Sequence, residues 1–310
     1  MNEMLRIGSR GSQLALWQAR RIQQRLEELG ELCRIEIIKT TGDKITDAPL
    51  AQVGSKGLFT KEIEQALLEG RVDLAVHSLK DLPTELPRGL TIAAIPERED
   101  PRDAVVGARL EDLPGGARIG TSSLRRAAQL RALRPDLAIE PLRGNLDTRL
   151  RKLAEERYDA IVAACAGLKR LGWEHRIAEV LEPAVMCPAV GQGALAVETR
   201  EDGGRAHEVC RRLDDPAARA AVTAERAVLR ALGGGCQVPL GACGRVADGV
   251  LHLEAVVVAP DGSTRIRLED GGPAAEAERI GMRLGRRLLE AGANRILEAV
   301  YGTALRTPGV

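Results

Sequence analysis

The sequence predicts an α/β fold: two α/β units around a cleft, followed by a small α+β domain. Three observations predict it. Short apolar strands alternate with amphipathic helices from Leu5 to Val197, the rhythm of a mostly parallel sheet. Two passages rich in proline, glycine or charge, 96–101 and 187–193, interrupt that rhythm, and two crossings between two α/β units leave a cleft with a hinge at its base. Beyond Asp214-Asp215-Pro216, strands are joined by tight turns such as Ala247-Asp248-Gly249 and Pro260-Asp261-Gly262, which reads as antiparallel pairing.

Taken in order, Leu5-Arg6-Ile7 is a strand. The helix after it runs from Gln13 to Leu29, with Leu14, Trp17, Ile22, Leu26 and Leu29 on its apolar face. Arg34–Lys39 alternates as a strand, and Phe59–Glu69 is a helix stopped by Gly70. Asp73–His77 and Thr91–Ile95 are strands. After the crossing at Pro96–Pro101 come strands Ala104–Val106 and Arg118–Gly120, helix Ser123–Leu133 and strand Leu137–Glu140. Helix Leu146–Glu156 and strand Ala160–Ala164 follow. The crossing at Cys187–Gly193 leads to strand Ala194–Val197. The last region has helix Ala217–Leu232, strands Leu240–Val246, Leu251–Val258 and Thr264–Leu268, helix Ala274–Leu289 and a short terminal helix. The expected domains are 1–98 with 194–214, then 99–193, then 215–310.

The composition excludes some functions. The 310 residues carry 45 basic and 44 acidic side chains, a net charge of +1, which is a poor global match to nucleic acid. The five aromatic residues, Trp17, Trp173, Tyr158, Tyr301 and Phe59, make a poor base-stacking platform. No apolar run has the length of a membrane span or signal peptide, so a cytoplasmic protein is expected. The six cysteines include no C-x-x-C pair and the four histidines are scattered, so no metal site is expected. Of the 45 basic residues only seven are lysine, and arginine is the planar fork that grips carboxylates in two places.

Where the arginines sit is more telling than their number. Gly120-Thr121-Ser122-Ser123-Leu124-Arg125-Arg126 joins a strand to a helix. Its hydroxyls cap the helix, whose free N–H groups attract anions. Arg125 and Arg126 then oppose the positive end of the helix dipole, a conflict that a bound anion removes. Leu142-Arg143-Gly144-Asn145 repeats the pattern before a helix carrying Arg149, and Arg6-Ile7-Gly8-Ser9-Arg10-Gly11-Ser12 repeats it again. Ala166-Gly167-Leu168-Lys169-Arg170 follows a fourth strand. Arginines at four strand ends imply a ligand with several negative groups. His77-Ser78-Leu79-Lys80-Asp81-Leu82-Pro83 places a carboxylate beside an ammonium at a strand end, making Asp81 the acid/base or cation-stabilising candidate; a plain surface turn closed by Pro83 is the alternative. Gly54-Ser55-Lys56-Gly57 fits an anion cradle or a G-x-x-G clamp. Gly233-Gly234-Gly235-Cys236-Gln237 is an open loop whose thiol could be a nucleophile or covalent tether, or an incidental cysteine.

Together these segments resemble the porphobilinogen deaminase (hydroxymethylbilane synthase) family, colinearly from Arg6 to Gly241. The matching strings include Leu14-Ala15-Leu16-Trp17-Gln18-Ala19, Lys56-Gly57-Leu58-Phe59, His77–Pro83 and Glu97-Arg98-Glu99-Asp100-Pro101-Arg102-Asp103. They continue with Gly120–Arg126, Arg143-Gly144-Asn145, Ala166–Gly172, Val190-Gly191-Gln192-Gly193 and Gly235-Cys236-Gln237-Val238-Pro239. The resemblance implies that the first two domains are type II periplasmic-binding-protein-like. It implies a dipyrromethane cofactor in thioether linkage to Cys236, and successive condensation of four porphobilinogen molecules with loss of ammonia. Hydrolysis then frees hydroxymethylbilane, on the way to haem and other tetrapyrroles.

The resemblance also distributes roles. It makes Asp81 the catalytic carboxylate. It assigns the cofactor to Cys236, Lys80, Ser78, Thr121, Ser123, Arg125, Arg126, Gly144 and Asn145. It assigns the substrate to Arg10, Ser12, Phe59, Ser122, Arg143, Arg149, Arg170, Gln192 and Gly193. The partner implied is porphobilinogen, with no nucleic acid or membrane, and the protein is expected to be a monomer. Two departures stand out: Gln13 replaces the proline expected after Ser12, and Cys165 sits at an alanine-rich strand end. A two-domain anion-binding protein without catalysis would share the cleft and its arginines. It would have no use for Cys236.

Overall fold

The computed structural model describes residues 4–44, 57–234 and 238–301. The first elements are β1 (Leu5–Ser9), α1 (Gln13–Glu28), β2 (Cys33–Ile37), a helical turn at Thr41–Lys44, α2 (Lys61–Leu68), β3 (Leu74–Ser78) and β4 (Leu90–Ala94). Next come β5 (Asp103–Val106), β6 (Arg118–Gly120), α3 (Leu124–Leu133), β7 (Ala138–Glu140), α4 (Leu146–Ala154), β8 (Ala160–Ala164), α5 (Cys165–Arg170) and β9 (Ile177–Leu181). The chain returns through β10 (Leu195–Arg200) and α6 (Arg205–Arg211). It ends with α7 (Pro216–Ala231), β11 (Leu240–Ala247), β12 (Val250–Val258), β13 (Arg265–Pro273), α8 (Ala277–Leu288) and α9 (Asn294–Tyr301).

Both α/β sheets follow one plan. The first has the order β2-β1-β3-β10-β4 and the second β7-β6-β8-β5-β9. Three parallel strands lie at one side of each, β2-β1-β3 and β7-β6-β8. A strand fed by a crossing then inserts antiparallel: β10 against β3 and β4, β5 against β8 and β9. The buried runs are the near-continuous apolar strands that two covered faces demand, such as Ala160–Ala163 on β8. The fold is α/β: two domains built on one mixed-sheet plan, with a small α+β domain after them. In the latter, β11-β12-β13 is an antiparallel sheet. Helices α7 and α8 pack together at Gly281, where a Cβ would lie 2.2 Å from the Ala224 carbonyl oxygen.

The exchange of strands brings both crossings together. The Glu99 amide donates to the Gly193 carbonyl at 3.2 Å. Arg98 Nε donates to the Gln192 carbonyl at 2.9 Å, and its other nitrogens meet the Glu225 carboxylate on α7 at 2.6 and 3.1 Å. Glu225 also accepts from the amides of Gly191 and Gly244, both at 2.7 Å. It is fully buried. An uncompensated charge there would be costly, but bidentate pairing and two further donors satisfy it. All three domains therefore meet at one ion pair. The tip of the β12–β13 hairpin also reaches the second domain, where Arg131 donates to the Pro260 carbonyl at 2.7 Å.

Most elements fall where the sequence puts them. Four were not anticipated: the turn at Thr41–Lys44, α5, α6 and β9. Each is short, and β9 is a half-buried edge without alternation. β13 runs on to Pro273, past the expected end at Leu268, because it is an edge strand on which alternate residues stay exposed. Among the described residues no helix is long and apolar enough to cross a membrane.

Candidate active site

The end of β3 forms one wall. Leu79 opens a 3-10 turn, Leu79–Asp81, and is buried, which anchors the turn. Lys80 and Asp81 point out and are exposed. Ser78 is steadied by Gln18 of α1, whose Nε2 donates to its Oγ at 2.9 Å. Gln18 is a buried polar residue that the sequence reading passed over within an apolar helix face.

The facing wall belongs to the second domain. Ser123 caps α3 by accepting from the Arg126 amide at 3.4 Å, and Thr121 Oγ1 accepts from the Ser123 amide at 3.2 Å. Ser122 donates to the Leu142 carbonyl at 2.9 Å. All three hydroxyls shape the turn. Arg125 and Arg126 lie in the first turn of α3 as expected, but both are buried and already have an anion: Asp103, the first residue of β5. Arg125 Nη1 is 2.7 Å from its Oδ2 and also donates to the Cys187 carbonyl at 2.6 Å. Arg126 reaches its Oδ1 through Nε and Nη2, at 3.0 and 2.7 Å. Gln192 adds a donor to the same oxygen at 2.9 Å. Burial would raise the Asp103 carboxyl, but the two guanidinium charges overrule it and hold the group well below the usual carboxylate range. The helix-dipole conflict is thus answered by the protein itself.

Lys80, Arg143 and Arg149 make no such direct ion pair among the described residues. Lys80 is pulled down to about 8, by the surrounding protein and then by Arg126, against the pull of Asp81 and Asp103. Its Nζ reaches Gln192 Oε1 at 3.5 Å, spanning the cleft floor. Arg149 is pulled down to about 10 by burial, then by Arg126 and Arg143, against Asp81; it remains a cation at neutral pH. Its Nε donates to the Gly144 carbonyl at 2.8 Å. Arg143 has a buried Nη1 with no hydrogen-bond partner among the described residues. Lys80, Asp81, Arg126, Arg143 and Arg149 thus form one electrostatic group built from both domains.

The remaining sites divide. Arg10 stacks over Phe59, 4.2 Å from the ring centroid, and Ser12 caps α1, accepting from the Ala15 amide at 3.3 Å. Asn145 occupies the N-cap of α4 but its side chain makes no capping bond. Arg170 is in the last turn of α5, not at a helix start. It is buried, donates to the Gly193 carbonyl at 2.7 Å and lies over Trp17. Gly193 has φ +85, and a Cβ there would lie 2.3 Å from the Glu99 carbonyl oxygen. Cys165 is buried, which pushes its thiol up to about 12 and leaves it inert at neutral pH. Cys236 and the 54–56 part of the glycine–lysine loop lie outside the described residues. The group that sequence reasoning missed is Asp103. Two arginines crowding one helix start signalled an anion; its source in the chain was not legible.

Comparison with known proteins bears on this arrangement. Residues 5–208 match the family model described as porphobilinogen deaminase, dipyromethane cofactor binding domain. Residues 219–290 match the porphobilinogen deaminase C-terminal domain. The porphobilinogen deaminase of Syntrophobacter fumaroxidans is 52% identical over 97% of this chain and 99% of its own. That of Syntrophotalea carbinolica is 54% identical over 96% of both. Among solved structures, a periplasmic substrate-binding protein of an ABC transporter from Coxiella burnetii is 15% identical, with a TM-score of 0.43, over 72% of this chain and 97% of that one. With both family models matched in order and half of all residues shared along nearly the full length, the chain belongs to the porphobilinogen deaminase family.

Proposed function

We propose that the chain carries out the family's reaction in the cleft between its two α/β domains. It condenses four porphobilinogen molecules on a dipyrromethane primer with release of ammonia, then hydrolyses the product to hydroxymethylbilane. One observation carries this reading: the group of Lys80, Arg126, Arg143 and Arg149 facing Asp81. Mutual repulsion within the group and the unpartnered Arg143 nitrogen make it a site that wants carboxylates. Each pyrrole unit brings an acetate and a propionate, so the residues present fit the dipyrromethane. When bound, that group supplies the primer to which the substrate is joined.

In this reading Cys236 holds the primer by a thioether, and Lys80, Ser78, Thr121, Ser123, Arg125, Arg126, Gly144 and Asn145 line its place. Lys80 and Arg126 grip carboxylates directly. Arg125, committed to Asp103 and Cys187, keeps Arg126 in register. Arg10, Ser12, Phe59, Ser122, Arg143, Arg149, Arg170, Gln192 and Gly193 orient the incoming substrate and shape the floor. Asp81 accepts hydrogen bonds from pyrrole N–H groups and stabilises the positive charge that develops as ammonia leaves. Domains at 1–98 with 194–214, 99–193 and 215–310 serve the reaction, a division supported by the sheet memberships. The protein works as a monomer in the cytoplasm, without nucleic acid; the five described cysteines are free thiols, which suits a reducing compartment.

Intact-protein mass tests the tether and turnover tests the carboxylate. The parent should carry two pyrrole units and Cys236→Ala none. Asp81→Asn should keep the primer yet turn over roughly 100- to 1,000-fold more slowly, the range seen when a charge-stabilising group is removed. An unmodified, fully active protein would reject the tether, and a near-normal Asp81→Asn the catalytic role.

A further inference from the structure

Arg226 lies on α7 in the C-terminal domain, and its guanidinium reaches the chain just beyond Asp81. It donates to three successive carbonyls: Leu82 at 3.4 Å, Pro83 at 2.6 Å and Thr84 at 3.2 Å. This segment is poorly held by its own backbone. It follows a single 3-10 turn closed by the Leu82 amide on the Leu79 carbonyl at 3.1 Å, and Pro83 has no N–H to offer. A planar fork with five donors can satisfy several carbonyls in fixed geometry. The base of the fork is equally fixed, since the preceding residue, Glu225, is held by Arg98, Gly191 and Gly244.

The same segment touches the start of the cysteine loop. Thr84 Oγ1 lies 3.2 Å from where a Cβ on Gly234 would stand, and Gly234 precedes Cys236 by two residues in the chain. Asp81 and Gly234 come from different domains, so their relative placement is set by how those domains are tied. We infer that Arg226 is a positioning residue that holds the turn bearing Asp81 against the C-terminal domain, fixing the carboxylate relative to α7 and Gly234. The inference rests on the roles of Asp81 and Cys236 proposed above. Small misplacements of a catalytic group are expensive in rate, which gives such a tie its purpose.

The test uses the full chain with its primer attached, checked by intact mass. Arg226→Met keeps the aliphatic stem and removes the donors. It should lower kcat roughly 10- to 100-fold, with KM for porphobilinogen little changed and primer content full. Arg226→Lys, with fewer and less directed donors, should recover part of that loss. Arg230→Met, on the same helix but paired with exposed Glu278, should behave as the parent. The double variant Asp81→Asn with Arg226→Met should be no slower than Asp81→Asn alone, because Arg226 acts through Asp81. A merely structural role would instead slow the double variant further.

Parent-like kcat in Arg226→Met, or strict multiplication of effects in the double variant, would overturn the inference. If Arg226→Met does not fold, Arg226→Lys decides: slowed with full primer supports the tie, parent-like kcat rejects it. Loss of primer in both variants also rejects it, since the tie acts after attachment. Failure of the underlying reading looks different: Asp81→Asn itself would then turn over normally, whatever Arg226 does.

Discussion

On the second-domain wall of the cleft, Arg125 and Arg126 are buried and share the carboxylate of Asp103. On the first-domain wall, Lys80 and Asp81 stand at the end of β3, and the desolvation of the Lys80 ammonium by the protein around it, followed by the charge of Arg126, presses it down to about 8. Both walls arise from the same kind of sequence, a charged run where a strand ends. The difference is whether the fold supplies the counter-charge. A cation with a resident anion is part of the scaffold and sets geometry. A cation without one stores an electrostatic preference that an anionic ligand satisfies. Arg126 belongs to both classes: it is anchored by Asp103, and its charge still reaches Lys80 and Arg149.

The comparison breaks most visibly at Asp103. Asp103→Asn would leave two buried guanidinium groups without a counter-charge, and breaking such a pair costs about 3–5 kcal/mol. Urea unfolding should show a loss of that order, and primer content should fall with it because α3 loses its register. A loss below about 1 kcal/mol would place Arg125 and Arg126 with the open cations instead. The native carboxyl titrates below its ordinary 3.8, so its stabilisation is present above that value. It is lost as pH falls below it, leaving the neutral range untouched.

What the sequence made legible follows the same division. Periodicity found the strands and helices that build both sheets, because burial on one or two faces leaves a regular mark. Ser123 and Ser12 were readable as caps, since capping is a local event. Asp103 was not: it opens a buried strand, where an acidic residue reads as the end of the preceding charged stretch, and its partners are some twenty residues on. Arg170 reads as a strand-end residue because α5, whose last turn holds it, is too short to show a period. Arg226 and Glu225 look like the polar face of an amphipathic helix, while their partners are backbone groups and, for Glu225, an arginine more than a hundred residues away in the chain. Contacts between distant segments and backbone carbonyls belong to the topology.

Arg149 sharpens the contrast from the open side. Its charge is opposed by Arg126 and Arg143 and relieved by Asp81, and its Nε is held by the Gly144 carbonyl. Arg149→Leu should therefore fold with nearly parental stability. Its cost should appear in binding: a lost charge-assisted hydrogen bond to a carboxylate is worth about 1.5–3 kcal/mol. Steady-state kinetics should show a KM for porphobilinogen raised roughly 10- to 100-fold, an effect that shrinks as salt is added to both proteins. Destabilisation as large as that of Asp103→Asn would show that Arg149 is scaffold.

The smallest effect is the most discriminating, because its sign is opposite. Lys80 titrates at about 8 in the folded chain against an ordinary 10.5. Between those values the unfolded chain binds the extra proton, so the contribution of Lys80 to stability rises with pH through that window. Below pH 8 the ammonium is charged in both states and its cost is present in full. The side chain is open to water, which screens part of that cost. Lys80→Gln should then raise the melting temperature of the primer-free chain at pH 7 by about 1 °C, a fraction of a kcal/mol for a protein of this size. The gain should shrink as pH rises from 8 towards 10. The same substitution should slow turnover, since a group that destabilises the empty site is the one that its ligand's carboxylates neutralise. A melting temperature that fell at pH 7 would mean that Asp81 and Gln192 already compensate Lys80, and the two walls would then differ in exposure alone.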